Sequence, residues 1–262
     1  MRIAAGVEYL GTEYAGWQRQ AHAPSVQARV EQALSRVADH EVTVHCAGRT
    51  DSGVHAQGQV IHFDTPAQRS ERSWLLGSNT HLPDDIALRW VRGVSEAFHA
   101  RFRATERRYR YVILNRSSRS ALLAGRVALL RQTLDVEAMS RALAPLLGEH
   151  DFSSFRARGC QARHPNRYVS FVSATRQGDL VYIDISANAF LHHMVRNIVG
   201  SLLQVGKGER PVEWMAELLA LRDRSMAGVT APAQGLYLVD VRYPEYFGLP
   251  GGPAPLGFGS GF

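Results

Sequence analysis

Val42-Thr-Val-His-Cys-Ala-Gly-Arg-Thr-Asp-Ser-Gly-Val-His-Ala-Gln-Gly-Gln-Val-Ile-His-Phe63 places two strand-like runs, Val42 to Cys46 and Gln59 to Phe63, around a polar loop punctuated by glycine. The loop holds one carboxylate, Asp51, between Arg49 and His55, with Gly48, Gly53 and Gly58 about it. It is too long for a minimal hairpin and too polar for a core, so it is expected to project from the sheet. Local chemistry alone reads Asp51-Ser-Gly as a turn, because Asp bonds its own backbone and glycine supplies positive φ.

Working outward, residues 3 to 9 alternate as a strand. Ser25 then opens an amphipathic helix with Val26, Val30, Leu34 and Val37 on one face. Beyond Phe63, Arg72 to Leu76 predicts a short helix ended by Gly77, and Ile86 to Val94 predicts a strand. The order β-α-β-β-α-β is that of a split, ferredoxin-like half. The pattern comes round again with a strand at Arg107 to Leu114 and a helix capped by Asp135 that buries Val136, Met139, Leu143 and Leu146. Tyr168 to Thr175 and Leu180 to Ser186 read as a hairpin turning at Gly178-Asp179. An apolar helix is expected from about Leu191 to Val205, stopping at Gly206, and another from Pro211 with Trp214, Met215, Leu218 and Leu219 inward. Leu236 to Tyr243 is the last strand.

The expected fold is therefore α+β: two ferredoxin-like (split β-α-β) halves sharing an extended, mostly antiparallel sheet, with a catalytic cleft between them. Residues 1–104 form the half carrying the Asp51 loop and residues 105–247 the other. The Gly- and Pro-rich stretch 248–262 is expected to be a disordered tail.

A chain of 262 residues has ample material for a buried core, and its 45% hydrophobic and 21% charged content is ordinary for a soluble protein. Its apolar runs fall short of a membrane span, and Met1-Arg-Ile-Ala does not open a signal peptide. Two cysteines, Cys46 and Cys160, lie far apart without metal-ligand spacing, so a reducing, cytoplasmic location without disulfides is expected. The net charge is +6, and Lys207 is the only lysine among the 30 basic residues. Between Arg101 and Arg119 stand seven arginines and one acid, Glu106, and between Phe152 and Gly178 five arginines (Arg156, Arg158, Arg163, Arg167, Arg176) and no acid. Interleaved with Phe102, Tyr109, Tyr111, Phe155, Tyr168 and Phe171, these stripes fit a nucleic-acid partner whose phosphates are paired and whose bases are stacked. Arg101, Arg103, Arg156 and Arg158 are the candidate phosphate contacts.

In His192-His-Met-Val-Arg-Asn-Ile-Val-Gly200, Arg196 stands on a strongly apolar helix, where a carboxylate is the natural partner. The adjacent histidines lack the i, i+4 spacing of a zinc site, so no metal is expected. Tyr109 and Tyr111, two apart on a basic strand, share one face; they either pack the sheet or present a ring to a base.

Gly48-Arg-Thr-Asp-Ser-Gly-Val-His55, Arg108-Tyr-Arg-Tyr111, His192-His-Met-Val-Arg-Asn197 and Gly235-Leu-Tyr-Leu238, joined by Gly16-Trp-Gln18 and Ala189-Phe-Leu-His192, closely resemble the tRNA pseudouridine synthase I family. The resemblance runs in order from about residue 2 to about residue 247, and departs from the family's Asp-Ala-Gly only in Ser52. It implies an isomerase that converts uridine to pseudouridine at positions 38–40 in the anticodon arm of tRNA. It implies Asp51 as the catalytic aspartate and Arg49 as a shaper of the flipped-nucleotide pocket. Tyr109 becomes the active-site tyrosine against the target base, Arg196 the arginine paired with the aspartate, and Leu236 an apolar wall. It further implies a homodimer that binds tRNA across both subunits and uses neither cofactor nor metal. Two readings from other classes stand beside it. A non-catalytic RNA-binding module has no use for Asp51, and a zinc-dependent deaminase needs a His/Cys set with a nearby Glu.

Overall fold

The computed structural model describes residues 1–254 and 257. They fall into two compact units, Met1–Thr105 together with the stretch that begins at Tyr237, and Glu106–Leu236. Both mix helices with mostly antiparallel strands, which is the α+β class the sequence predicts.

The first unit contains β1 (Arg2–Tyr9), α1 (Val26–Ala38), β2 (His45–Cys46), β3 (His55–Asp64), α2 (Glu71–His81) and β4 (Ile86–Val94), the expected β-α-β-β-α-β order. β1 pairs antiparallel with β3 on one side and β4 on the other. The last strand of the chain, counted above with the second half, runs parallel to β3, with Tyr237 opposite His55 and Leu238 opposite Ala56. Ser25 caps α1 by accepting the Ala28 N–H, and Val26, Val30, Ala33 and Leu34 face the core. α2 does not end at Gly77. That glycine lies inside it, where a Cβ would stand 3.1 Å from Val37 Cγ2, so its missing side chain lets α2 lie close against α1.

Two further differences lie around the decisive loop. Val42 and Val44 are buried, yet only His45 and Cys46 join the β3 ladder, because the run ends in a short edge. β3 begins four residues earlier than expected, at His55, which shortens the loop to residues 47–54. The stretch expected as a tail begins in order: the Gln57 amide donates to the Ala254 carbonyl at 2.8 Å, and Gly252 packs on the Asp240 carboxylate. Residues 255–256 and 258–262 of it lie outside the described residues.

The second unit contains β5 (Glu106–Asn115), β6 (Ala128–Leu130), α3 (Val136–Leu143), β7 (Gly148–Asp151), β8 (Asn166–Gln177), β9 (Leu180–Ala187), α4 (Met194–Gly206) and α5 (Trp214–Leu221); β10 (Leu236–Arg242) follows. β5, β9, β8 and β7 lie side by side and antiparallel, and β6 adds to β5 in parallel. Asp135 caps α3 by accepting the Ala138 N–H. α4 packs Met194, Val195, Ile198, Val199, Leu202 and Val205 inward. It starts three residues later than expected because His193 adopts a left-handed conformation (φ 59°), which leaves Leu191, His192 and His193 off the helix. α5 likewise begins at Trp214 rather than Pro211, after a turn closed by the Trp214 N–H to the Pro211 carbonyl.

Candidate active site

The loop bearing Asp51 is fastened residue by residue. Gln59 on β3 grips its start, donating its amide to the Gly48 carbonyl at 2.6 Å and accepting the Gly48 N–H at 3.4 Å. Thr50 is held twice, its hydroxyl hydrogen-bonded to Tyr9 Oη at 2.8 Å and its carbonyl accepting the Trp17 N–H at 3.0 Å. The Ser52 hydroxyl and the Gly53 N–H both donate to the Tyr14 carbonyl at 3.3 Å. The Val54 N–H returns to the Asp51 carbonyl at 3.1 Å with Gly53 at φ 76°, so the Asp-Ser-Gly turn is real. Gly16 (φ 99°) lets the segment from Tyr14 to Trp17 lie against this turn, since a Cβ there would stand 2.7 Å from the Thr50 carbonyl oxygen. Asp51 is half-buried and Arg49 exposed; the loop rests on the protein rather than projecting from it.

His55 is wholly buried. Its Nδ1 accepts the Gly11 N–H at 2.9 Å, so that nitrogen carries no proton, and its ring lies 4.6 Å from that of Tyr237. It is a post under the loop. At the other end burial pushes the Cys46 thiol up to about 11, with the Arg49 and Arg101 charges pulling the other way. Arg101 and Arg103 are exposed, and Arg103 donates Nε to the Ala97 carbonyl at 3.1 Å.

In the second unit β5 sorts its residues by face. Tyr111 is buried and donates its hydroxyl to the Pro232 carbonyl at 2.8 Å; burial raises that phenol well above its ordinary range. Tyr109, 9% exposed, meets Phe190 edge to face at 4.9 Å. On the opposite face Arg110 grips Asp184 with Nε and Nη2 at 2.9 and 2.8 Å, and Arg108 approaches the same carboxylate at 3.6 Å. Their guanidinium groups lie over Tyr182 and Phe171. These two arginines of the basic stripe are thus engaged inside the unit. So is Arg167, which is 8% exposed and donates to the His164 and Asn166 carbonyls.

Arg196 lies in the first turn of α4. Its Nε donates to the Ala231 carbonyl at 2.8 Å while the Ala231 N–H donates to the Arg196 carbonyl at 3.1 Å. Beside it buried Asn197 donates to the Phe155 carbonyl and accepts from Arg224 and Thr230. Ahead of the helix the loop 157–160 takes both backbone groups of His192: its N–H points at Cys160 Sγ (3.4 Å) and its carbonyl accepts the Ala157 N–H (3.0 Å). Burial opposes ionisation of the Cys160 thiol, but the Ala162 and His192 N–H groups and Arg156 favour the thiolate and hold its pKa below the ordinary value. Arg156, a candidate phosphate contact by sequence, directs Nη2 at the Cys160 and Ala162 carbonyls (2.7 and 2.8 Å) and so braces this loop. Arg158, on the same loop, is exposed, and Leu236 is buried at the start of β10.

Sequence reasoning overlooked Gln59, Tyr9 and Tyr14 as the clamps of the Asp51 loop. It also missed Asp184, whose strand reads as one apolar-rich run; the only available signal was two arginines at i and i+2 on the neighbouring strand.

Comparison with known proteins places this geometry. A family model described as tRNA pseudouridine synthase matches residues 5–103 and 142–244. The tRNA pseudouridine synthase A of Aeromonas hydrophila is 60% identical over 257 residues, covering 98% of this chain and 95% of that protein. The proteins of the same name from Hydrogenovibrio crunogenus and Shewanella woodyi are 57% and 58% identical, each aligned over 95% of this chain and over 95% and 96% of their own lengths.

Proposed function

The chain belongs to the tRNA pseudouridine synthase family, and we propose that Asp51 is its catalytic carboxylate, acting on uridines 38–40 of the tRNA anticodon arm. The reaction is an isomerisation of uridine to pseudouridine. The N1–C1′ bond breaks, uracil turns in place, a C5–C1′ bond forms, the C5 hydrogen leaves and N1 takes up a proton. A carboxylate serves either as nucleophile or as the base that removes a ribose proton, and both routes require it ionised and held still.

One observation carries the proposal: within the matched residues, the turn holding Asp51 is clamped at Gly48, Thr50, Ser52 and Gly53 by residues from three separate stretches of chain. A plain surface turn has no need of so many attachments. Such a mount fixes the carboxylate against a nucleotide that has left its stack, a step costing a few kcal/mol that pocket contacts repay. Following the resemblance, Tyr109 packs on the target base and Leu236 walls the pocket. Arg196 supplies the positive charge that favours an ionised carboxylate, and Arg49 meets RNA phosphate beside the extruded nucleotide. Arg101, Arg103 and Arg158 contact phosphate further out. Arg156 acts through the loop it braces. Neither cofactor nor metal is needed for this chemistry.

We place the enzyme in the cytoplasm, as a homodimer. Among the described residues no helix is long and apolar enough to cross a membrane, and both cysteines are free thiols, in keeping with a reducing compartment. The test uses tRNA transcripts with uridine at only one of positions 38, 39 and 40, incubated with the chain alone. Pseudouridine at these positions is expected. Modification confined to another arm overturns the site assignment, and sedimentation as a monomer at working concentration overturns the dimer.

A further inference from the structure

We infer that Phe102 is a stacking platform for an unpaired base of the RNA, a role that rests on the tRNA substrate proposed above. The ring is 73% exposed and ends an aromatic column in which His62 is buried, His99 half-buried and His45 exposed. His45 stacks on His62 at 5.0 Å, His62 meets His99 at 4.5 Å, and His99 meets Phe102 at 4.3 Å with a 35° tilt. The column starts on β2, whose next residues enter the Asp51 loop, and it ends in solvent.

The turn that presents the ring is well held. His99 Nδ1 accepts the N–H groups of both Arg101 and Phe102 at 3.1 and 3.3 Å, and the Arg103 N–H donates to the His99 carbonyl at 3.0 Å. These three hydrogen bonds fix the backbone that carries Phe102. Burying a free phenyl ring is worth about 2 kcal/mol, so a fold that holds one outward forgoes that gain. An aromatic face in solvent beside cations is what sequence-tolerant RNA binding uses, since every base offers a π-face.

The charges agree. The Arg101 guanidinium lies 5.6 Å over the same ring, and Arg103 follows in the same turn. Arg49 and Arg101 both favour the thiolate of Cys46, which precedes the Asp51 loop. A base resting on Phe102 brings its own phosphate toward Arg101 and Arg103. On the reading above the target base already has Tyr109 as its ring partner, so this place goes to another nucleotide of the RNA.

The test measures tRNA affinity against salt concentration for the wild-type chain, F102A, F102L and F102W, with pseudouridine formation and sedimentation on the same preparations. Loss of stacking lowers affinity about five- to a hundredfold in F102A. F102L, which keeps apolar bulk without a π-face, is expected to fall with it, while F102W stays within about twofold of wild type. The salt slope stays unchanged in all three, because no phosphate contact is removed. F102A binding as tightly as wild type, while wild type makes pseudouridine, rejects the platform and leaves the enzyme standing. Wild type that neither binds nor converts tRNA takes down the reading beneath it as well. A drop in sedimenting mass for F102A means that the ring meets a second copy of the chain, and also overturns the proposal.

Discussion

Asp51 and Asp184 are the same residue type set in opposite ways. Asp184 is 3% exposed on β9, its carboxylate gripped by Arg110 and approached by Arg108, each guanidinium backed by an aromatic ring. Asp51 stands half-buried on a turn whose attachments run through the backbone and side chains of its neighbours. The first arrangement satisfies the carboxylate and serves the fold. The second fixes the turn that carries the carboxylate. For Asp184 the contacts that place it are made by its own carboxylate; for Asp51 the turn is placed through the residues on either side.

Breaking that comparison at its functional end gives the largest effect. Asp51→Asn is expected to lower turnover by about a thousandfold or more while leaving the melting temperature and tRNA affinity close to wild type. At the structural end, Asp184→Asn leaves two guanidinium groups without their anion. Removing one partner of a buried ion pair costs about 3–5 kcal/mol, read as a lowered urea midpoint, while turnover per folded molecule holds.

Weakening the mount sharpens the contrast. Gln59→Leu removes both bonds to the half-buried Gly48 backbone, at a cost of about 1–3 kcal/mol. Turnover should fall about tenfold or more because Asp51 is no longer held in place. Tyr9→Phe deletes the hydroxyl that bonds Thr50 and is expected to cost about 1 kcal/mol, with a smaller loss of rate.

A pH dependence of stability is expected as well, and it leaves turnover out of the comparison. Burial first, then the charges of His99, His45 and Arg2, lower the His62 pKa to about 4, and the Ala100 N–H occupies its Nδ1. The folded state thus resists a proton that the unfolded chain accepts at its ordinary value of 6.5. Stability is fully present above about 6.5 and falls as the pH drops toward 4, by about 2 kcal/mol. A His62→Gln variant should show a flatter profile in urea melts taken across this range.

Elements with strong periodicity and explicit caps were legible in advance: β1, α1 behind Ser25, β4, α3 behind Asp135 and the hairpin of β8 and β9. Short edges were legible only in part: β2 is the end of the expected run Val42 to Cys46, while β6 and β7, of three and four residues, owe their pairing to the neighbouring strand rather than to a pattern of their own. Gly77 and His193 misled for the same reason. Tertiary packing uses the glycine as a close contact, and a single left-handed residue halts the helix ahead of Met194. In the site, the family resemblance singled out Asp51, Arg49, Tyr109 and Arg196 as candidates. Their anchoring was invisible, since Gln59, Tyr9 and Tyr14 reach the loop from other strands and segments. Arg108, Arg110, Arg156 and Arg167 illustrate the converse: charge counted along a sequence says nothing about where a guanidinium finds its acceptor.

The contrast between the two aspartates is tested most directly by tritium release from tRNA carrying 5-tritiated uridine, with wild type, Asp51→Asn and Asp184→Asn compared per folded molecule. Rejoining uracil at C5 must expel that hydrogen. Release by wild type and Asp184→Asn, with none above background from Asp51→Asn, is the predicted result. Equal release by Asp51→Asn and wild type contradicts the assignment of the chemistry to Asp51.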